Sequence, residues 1–346
     1  MIQICLVSRQ PMPNVIPVFM YRPEKVYLLT TEDEKRCGNN LKQLFESKNI
    51  LVEIENENIK PYNPDSVKTA LTGIIRKENR ESISINLTGG TKVMSIAAFE
   101  FSKQNGIPAF YCDTMDRQIL HLLPKEIVEE FSVSLTIKEY LLSYGYEITE
   151  QKELAEIEKY YPLFEFIESN LLMKSFLKFN EEIKKKLAQS NPKFSVKSPD
   201  RNFIFHKQFG SYRLEFGNNE RTSFTVKESD FKSGDWLEYY VYFKLRKLEN
   251  AELISGVKIL SDNQVQNEVD VIALKDEKLF LISCKSGRTD NQFDLFQLET
   301  IRSIASGTFG NGIFVSAHKS SEAFIKRAEE LSLKVINIAK GDNIKL

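Results

Sequence analysis

Several classes of protein are excluded by what this sequence does not contain. No apolar run in the 346 residues approaches the roughly 18 needed to cross a bilayer. The N-terminal MIQICLVSRQ enters a strand pattern directly, without the basic, apolar and small-residue succession of a leader. No membrane partner is therefore expected, and the expected location is cytoplasmic. The four cysteines, Cys5, Cys37, Cys112 and Cys284, lie far apart, with no CxxC pair and no histidine at zinc-ligand spacing. Neither a disulfide framework nor a zinc knuckle follows from them, and they read as reduced, mostly buried thiols. An excess of one charge is missing too. With 47 Lys and Arg against 48 Asp and Glu, the net charge is −1, so bulk attraction to nucleic acid is excluded and partners must be chosen by local sites. There is no internal repeat and no low-complexity segment.

What is present suffices for two ordinary globular cores, at 42% hydrophobic and 27% charged residues. Residues 1–124 alternate short β-type runs, at 2–7, 25–30, 51–54, 82–87 and 109–112, with helical patterns. That alternation predicts a parallel sheet flanked by helices. Thr31 with Glu34 reads as a capping box for a helix to about residue 48, Asn63 before Pro64 opens a second helix, and a third runs from Thr91 to Gly106. Residues 125–232 read as a connector, with a short helix at 137–144 and a long, charge-rich helical stretch over 151–189. Lys184, Lys185 and Lys186 within it read as a solvated helix face. Residues 233–346 predict a helix capped by Ser233, a meander of strands at 253–260, 264–274 and 279–284 turning at Asp276 and Glu277, a helix over 291–305, and strands at 312–315 and 334–338 around a last helix.

The tightest glycine cluster is Asn86-Leu87-Thr88-Gly89-Gly90-Thr91-Lys92, which follows a strand and opens a helix. Such a turn aims unpaired N–H groups and the positive end of a helix dipole at the space above the sheet, which suits an anion such as phosphate. Thr88 and Thr91 add hydroxyls and Lys92 adds charge. The spacing is neither GxxxxGK[ST] nor GxGxxG, so neither NTP hydrolysis nor dinucleotide binding follows. A double glycine can also serve close strand-to-helix packing alone. A second loop, Ser8-Arg9-Gln10-Pro11-Met12-Pro13-Asn14, would lie beside the first at the carboxyl edge of the sheet, where open α/β sheets bind ligands.

Together, S-x-Q-P-x-P-N after the first strand and N-L-T-G-G-T-K after the fourth resemble the CARF domains of CRISPR-associated effectors. The resemblance covers about residues 1–124. It implies a dimer that binds a cyclic oligoadenylate across its two-fold axis, with Ser8, Gln10, Asn14, Thr88, Gly89, Gly90, Thr91 and Lys92 lining the pocket. Some CARF domains degrade their ligand, which would place Lys92 or Thr91 near the scissile phosphate.

In Asn267-Glu268-Val269-Asp270-Val271 the two acids alternate with apolar residues and so project from one face of a strand. Lys285 ends the next strand and can face them, and Glu238 on the preceding helix supplies a further carboxylate. Acidic oxygens for a hard cation and a lysine for the developing charge are what phosphodiester cleavage needs. A cross-strand pair of Glu268 with Lys285 would be the ordinary alternative.

Helix with Glu, strand with Asp, strand ending in x-x-Lys and helix with Gln297 resemble the PD-(D/E)XK nuclease family over about residues 233–346. The resemblance implies Glu238 and Asp270 as metal ligands with the Cys284 carbonyl, Lys285 as the catalytic lysine, and Mn²⁺ or Mg²⁺ as cofactor. The acid usual two residues before the lysine is Ser283 here. Either Glu268 replaces the missing ligand, or the site is degenerate. Lys244, Arg246, Arg288 and Arg302 could line a groove or simply be solvated. Arg201 to His206 matches the R-x4-H signature of helical HEPN ribonucleases, but its interior Asn-Phe-Ile-Phe has strand character.

The expected fold class is α/β, a Rossmann-like CARF domain (1–124) joined by a partly helical connector (125–232) to a restriction-endonuclease-like α/β domain (233–346). The expected function is a metal-dependent endonuclease of type III CRISPR antiviral defence, activated by cyclic tetra-adenylate and cutting DNA, RNA or both. The alternative is a ligand-sensing regulator that does not cut.

Overall fold

The computed structural model describes residues 1–55, 59–189, 191–288 and 290–346, and among them the chain builds three sheets. The first arises from β1 (Ile2–Leu6), α1 (Met12–Tyr21), β2 (Lys25–Leu29), α2 (Lys35–Glu46), β3 (Leu51–Glu55), α3 (Pro64–Lys77), β4 (Ile83–Asn86), α4 (Lys92–Asn105), β5 (Ala109–Asp113), β6 (Gln118–Leu123) and β7 (Ile127–Glu130). Its strand order is β3-β2-β1-β4-β5-β6-β7. The strands β3 to β5 run parallel and the β6–β7 hairpin closes the edge antiparallel. Every residue of β1 is buried, as a strand covered by helices on both faces requires. Because β1 sits between β2 and β4, the loops after β1 and β4 come side by side at the switch point of the sheet.

The helix ends follow local chemistry. The Asn63 side chain accepts from the N–H groups of Asp65 and Ser66 at the start of α3, Thr91 accepts from Met94 N–H at the start of α4, and Gly106 closes α4 in the left-handed region. Thr31 makes no side-chain cap: a 3-10 turn over Glu32–Glu34 intervenes, and α2 begins at Lys35.

The connector is more varied than its composition predicts. After α5 (Ile137–Ser143) comes β8 (Tyr146–Glu150), and the expected long helix is three: α6 (Leu154–Glu158), α7 (Tyr161–Ser169) and α8 (Met173–Ala188). Pro162, tolerated only in a first turn, starts α7 anew. Then β9 (Phe194–Lys197), β10 (Phe203–Gln208), β11 (Ser211–Phe216) and β12 (Thr222–Lys227) form an antiparallel sheet. His206 lies on β10, bonded through Nδ1 to Ser195 Oγ at 2.8 Å, so R-x4-H is not on a helix.

The third sheet comes from α9 (Trp236–Leu245), β13 (Ala251–Ser261), β14 (Gln266–Lys275), β15 (Lys278–Lys285), α10 (Gln292–Ser306), β16 (Asn311–Ser316), α11 (Glu322–Glu330) and β17 (Leu333–Asn337). Its order is β17-β16-β15-β14-β13-β8, so the connector contributes an edge strand. Asp276 and Glu277 turn β14 into β15 with φ of 50° and 58°, a tight hairpin conformation. Asp235, not Ser233, caps α9, and without a side-chain bond.

Packing ties the units together. Val257, Ile259, Ile272 and Leu281 on one face of the third sheet share a continuous core with α5, α10 and the α1–α2 side of the first sheet. Val271, Ile282 and Val315 on the other face pack on α9 and the connector.

Candidate functional site

Asp270 marks the place where β14 and β15 part. Their pairing runs from Lys275 with Lys278 to Val271 with Ile282 and stops there, while Ser283, Cys284 and Lys285 pair onward with β16. The Cys284 N–H, released from the ladder, donates to Asp270 Oδ2 at 2.6 Å, and the Ser283 hydroxyl donates to the same oxygen at 3.3 Å. The carboxylate is thus fixed by the strand that carries Lys285. Burial pushes the Asp270 carboxyl above its ordinary range, against the pull of the Cys284 bond and of Lys285.

A cavity of about 260 Å³ opens beside this gap, lined among others by Glu268, Asp270, Ser283, Lys285, Asp294 and Gln297. Lys285 Nζ stands 3.5 Å from Asp294 Oδ1, so its ion partner comes from α10 rather than from Glu268 across the strands. Glu238 does not line the cavity. It approaches Asp270 from α9, and its carboxyl is pushed up to about 7, chiefly by burial and next by the charge of Asp270. Lys152 opposes that rise, with Nζ 2.7 Å from Asp235 Oδ2 and 3.2 Å from Glu238 Oε2. Neither Asp235 nor Lys152 was signalled by motif spacing; Lys152 comes from the connector, and only the fold brings it here. Among the described residues no three His, Cys, Asp or Glu side chains are set to hold a metal ion.

The four basic residues considered for a groove each have an acidic neighbour. Lys244 pairs with Glu168 at 2.6 Å, Arg246 lies over the Tyr161 ring and 3.5 Å from Glu165, and Arg302 is pinned to Glu299 and to the Gly307 and Gly310 carbonyls. Arg288 is exposed, 3.6 Å from Glu181. Lys184 leaves the expected solvated face, since its ammonium donates to Ser286 O and Oγ just beyond Lys285.

At the first sheet, the two loops enclose a recess of about 250 Å³ whose lining includes Ser8, Arg9, Glu34, Tyr62, Gly90 and Thr91. Several residues expected there also hold the loops. Asn14 is fully buried: its amide donates to Leu6 O at 2.9 Å and its oxygen accepts from Asn86 Nδ2 at 2.9 Å. Thr88 donates to Asn86 Oδ1 and accepts from Cys112 N–H. Gly89 packs so closely that a Cβ would lie 1.9 Å from Leu6 O, and the Thr91 hydroxyl, besides capping α4, donates to Pro61 O. Lys92 is exposed. Gln10 turns away: its Oε1 accepts from the hydroxyl of Tyr144 in the connector at 3.2 Å and from the N–H of Thr308 in the third-sheet domain at 3.3 Å.

A parallel-sheet recess made by two switch-point loops, packed onto a domain with acids and a lysine in a splayed strand pair, defines a ligand-sensing nuclease by class. Residues 2–140 match the family model of the Card1 CARF domain, and residues 226–345 match that of the Card1-like endonuclease domain. The chain belongs to the CARF-domain nucleases. The solved structure of Can2 from Sulfobacillus thermosulfidooxidans, in complex with cyclic tetra-adenylate, is similar with a TM-score of 0.75 at 26% identity, over 97% of this chain and 95% of that one. Protein VC1899 from Vibrio cholerae shares the fold with a TM-score of 0.75 at 18% identity, over 98% of this chain and 94% of its own. A type III CRISPR defence DNA nuclease activated by cyclic oligoadenylate does so with a TM-score of 0.59 at 20% identity, over 92% of this chain and 45% of its own. No curated protein matches the chain. Among the described residues no helix is long and apolar enough to cross a membrane.

Proposed function

We propose that the chain is a cyclic-oligoadenylate-activated, metal-dependent endonuclease of type III CRISPR antiviral defence, with residues 1–124 as sensor, 125–232 as connector and 233–346 as catalytic unit. The observation that carries the reading is the Asp270 carboxylate, held by Cys284 N–H where the strands part, with Lys285 and Glu238 beside it. Two carboxylates whose charge is opposed by burial suit a hard cation, and such ions accept carbonyl and water oxygens for the rest of their shell. Glu238, Asp270 and the Cys284 carbonyl would hold Mn²⁺ or Mg²⁺, which when bound supplies an acidified water and a Lewis acid for the phosphate. Lys285 faces the cavity with Asp294 behind it and stabilises charge developing on a phosphate oxygen there. Glu268 adds a carboxylate on the cavity rim.

Cyclic tetra-adenylate is the favoured activator, because it is the ligand in the Can2 complex. Ser8, Arg9, Gly90 and Thr91 on the recess would contact it, and a homodimer would bring two such recesses to one ligand. A non-cutting regulator is the second reading, and Ser283 favours it: the hydroxyl donates to Asp270 where a nuclease of this kind carries another acid.

Cleavage of single-stranded RNA, single-stranded DNA and plasmid DNA, with Mn²⁺ or Mg²⁺ and with or without cyclic tetra-adenylate, separates the two. Activator-dependent cutting should fall at least ~100-fold in Asp270→Ala and in Lys285→Ala. Activator binding without cutting on any substrate would leave the regulator.

A further inference from the structure

The carboxylates behind the cavity already share a cation that no nuclease motif supplies. Lys152 lies between β8 and α6, its side chain 20% exposed, with its ammonium bonded to both Asp235 and Glu238 and 4.6 Å from the centre of the Tyr239 ring. Three further features fix it. Its N–H donates to Ser255 O at 2.9 Å on β13. Its stem crosses β13 at Gly256, where a Cβ would come within 2.6 Å of Lys152 Cγ and where φ is +56°. Gly256 in turn lies across from Asp270, between the pairs Ser255 with Val271 and Val257 with Val269. The strand therefore gives up a side chain opposite Asp270, and a lysine from another part of the chain passes through the gap.

A buried carboxylate beside a second one is costly unless a cation compensates it. A second cation placed against the same oxygens is repelled by the first. Resting on the metal-dependent reading of the site, we infer that Lys152 is a positioning residue, the resident cation of the catalytic carboxylates, which holds Glu238 and Asp235 in place in the metal-free enzyme and competes with the divalent ion for them. Lys285 has a different task, on the cavity side of Asp270 with its own partner Asp294. A lysine that only braced the fold would leave metal affinity unchanged or weaken it on removal. A resident cation does the opposite.

The test is Mn²⁺ binding to the full-length chain, by electron paramagnetic resonance and calorimetry, for wild type, Lys152→Met, Lys152→Arg and Asp270→Ala, each checked by thermal melt. Lys152→Met should bind Mn²⁺ at least ~10-fold more tightly, while Lys152→Arg, which keeps the charge, stays near wild type. Lys152→Gln, with a donor for both acids, replaces the Met variant if that one does not fold. Affinity equal to or below wild type in a folded neutral variant overturns the inference, as does loss of fold in both neutral variants. The metal reading itself fails separately: no Mn²⁺ would then bind to any variant, whereas wild-type binding abolished by Asp270→Ala and untouched by Lys152→Met sinks only the role of the lysine.

Discussion

Glu238 is the residue at which folding and chemistry oppose each other. Its carboxyl is held up to about 7 by burial and by the neighbouring Asp270 charge, so the native state keeps a proton that the unfolded chain has released. The sign follows: this contribution to stability is fully present below the ordinary carboxylate range and is lost as pH rises through about 7. In chelator, the wild type should lose roughly 3 kcal/mol between pH 4.5 and 7.5 that Glu238→Gln does not lose. Denaturant melts across that range measure it, and parallel pH profiles for the two proteins would contradict the assignment. Asp270, also raised by burial, contributes a slope of the same sign, and its coupling to the Glu238 charge, removed in Glu238→Gln, is part of the measured difference.

At the scale of elements, the loops after β1 and β4 are held by hydrogen bonds of side-chain amides. Asn14 reaches the Leu6 carbonyl and receives the Asn86 amide, all buried. Asn14→Ala leaves buried polar atoms unmatched and should cost about 2–3 kcal/mol, read as a lowered Tm of the first cooperative transition, and an unchanged Tm would place the loop order elsewhere. The parallel sheet and the β13–β15 meander were legible in the sequence because their signals are local: buried apolar runs, turn residues and helix caps. Asp270, Ser283 and Lys285 were legible for the same reason, since strand alternation and one hairpin bring them together. β8 was not. Its sequence YEITE is mostly exposed at a sheet edge, so no apolar pattern marks it, and its partner β13 lies about a hundred residues away in sequence. Lys152 and Asp235 were hidden with it, because their meeting depends on that long-range pairing. The sheet of β9–β12 escaped similarly, except for the strand character around Phe203.

For the whole molecule, the proposed function requires the recess on the first sheet to govern the cavity on the third. Ser8 and Arg9 line the recess, and the next residue, Gln10, already touches Tyr144 of the connector and Thr308 of the nuclease domain. Gly307, at the end of α10, leaves room for that contact: a Cβ there would lie 2.1 Å from Gln10 Oε1. The same helix carries Asp294 and Gln297 on the cavity beside Asp270. Recess and cavity are thus joined by one loop and one helix, and a ligand that binds differently to two arrangements of the loop can bias two arrangements of the helix. Gln10→Ala should bind cyclic tetra-adenylate within about threefold of wild type yet lose about 10-fold of its activation, the size of an ordinary coupling free energy. Binding calorimetry beside the cleavage assay separates the possibilities. Full activation in Gln10→Ala removes this route, while loss of ligand binding returns Gln10 to the pocket-lining role that its motif implies. Unchanged binding with lost activation is the expected outcome, because Gln10 faces the connector and Thr308 while its neighbours Ser8 and Arg9 face the recess.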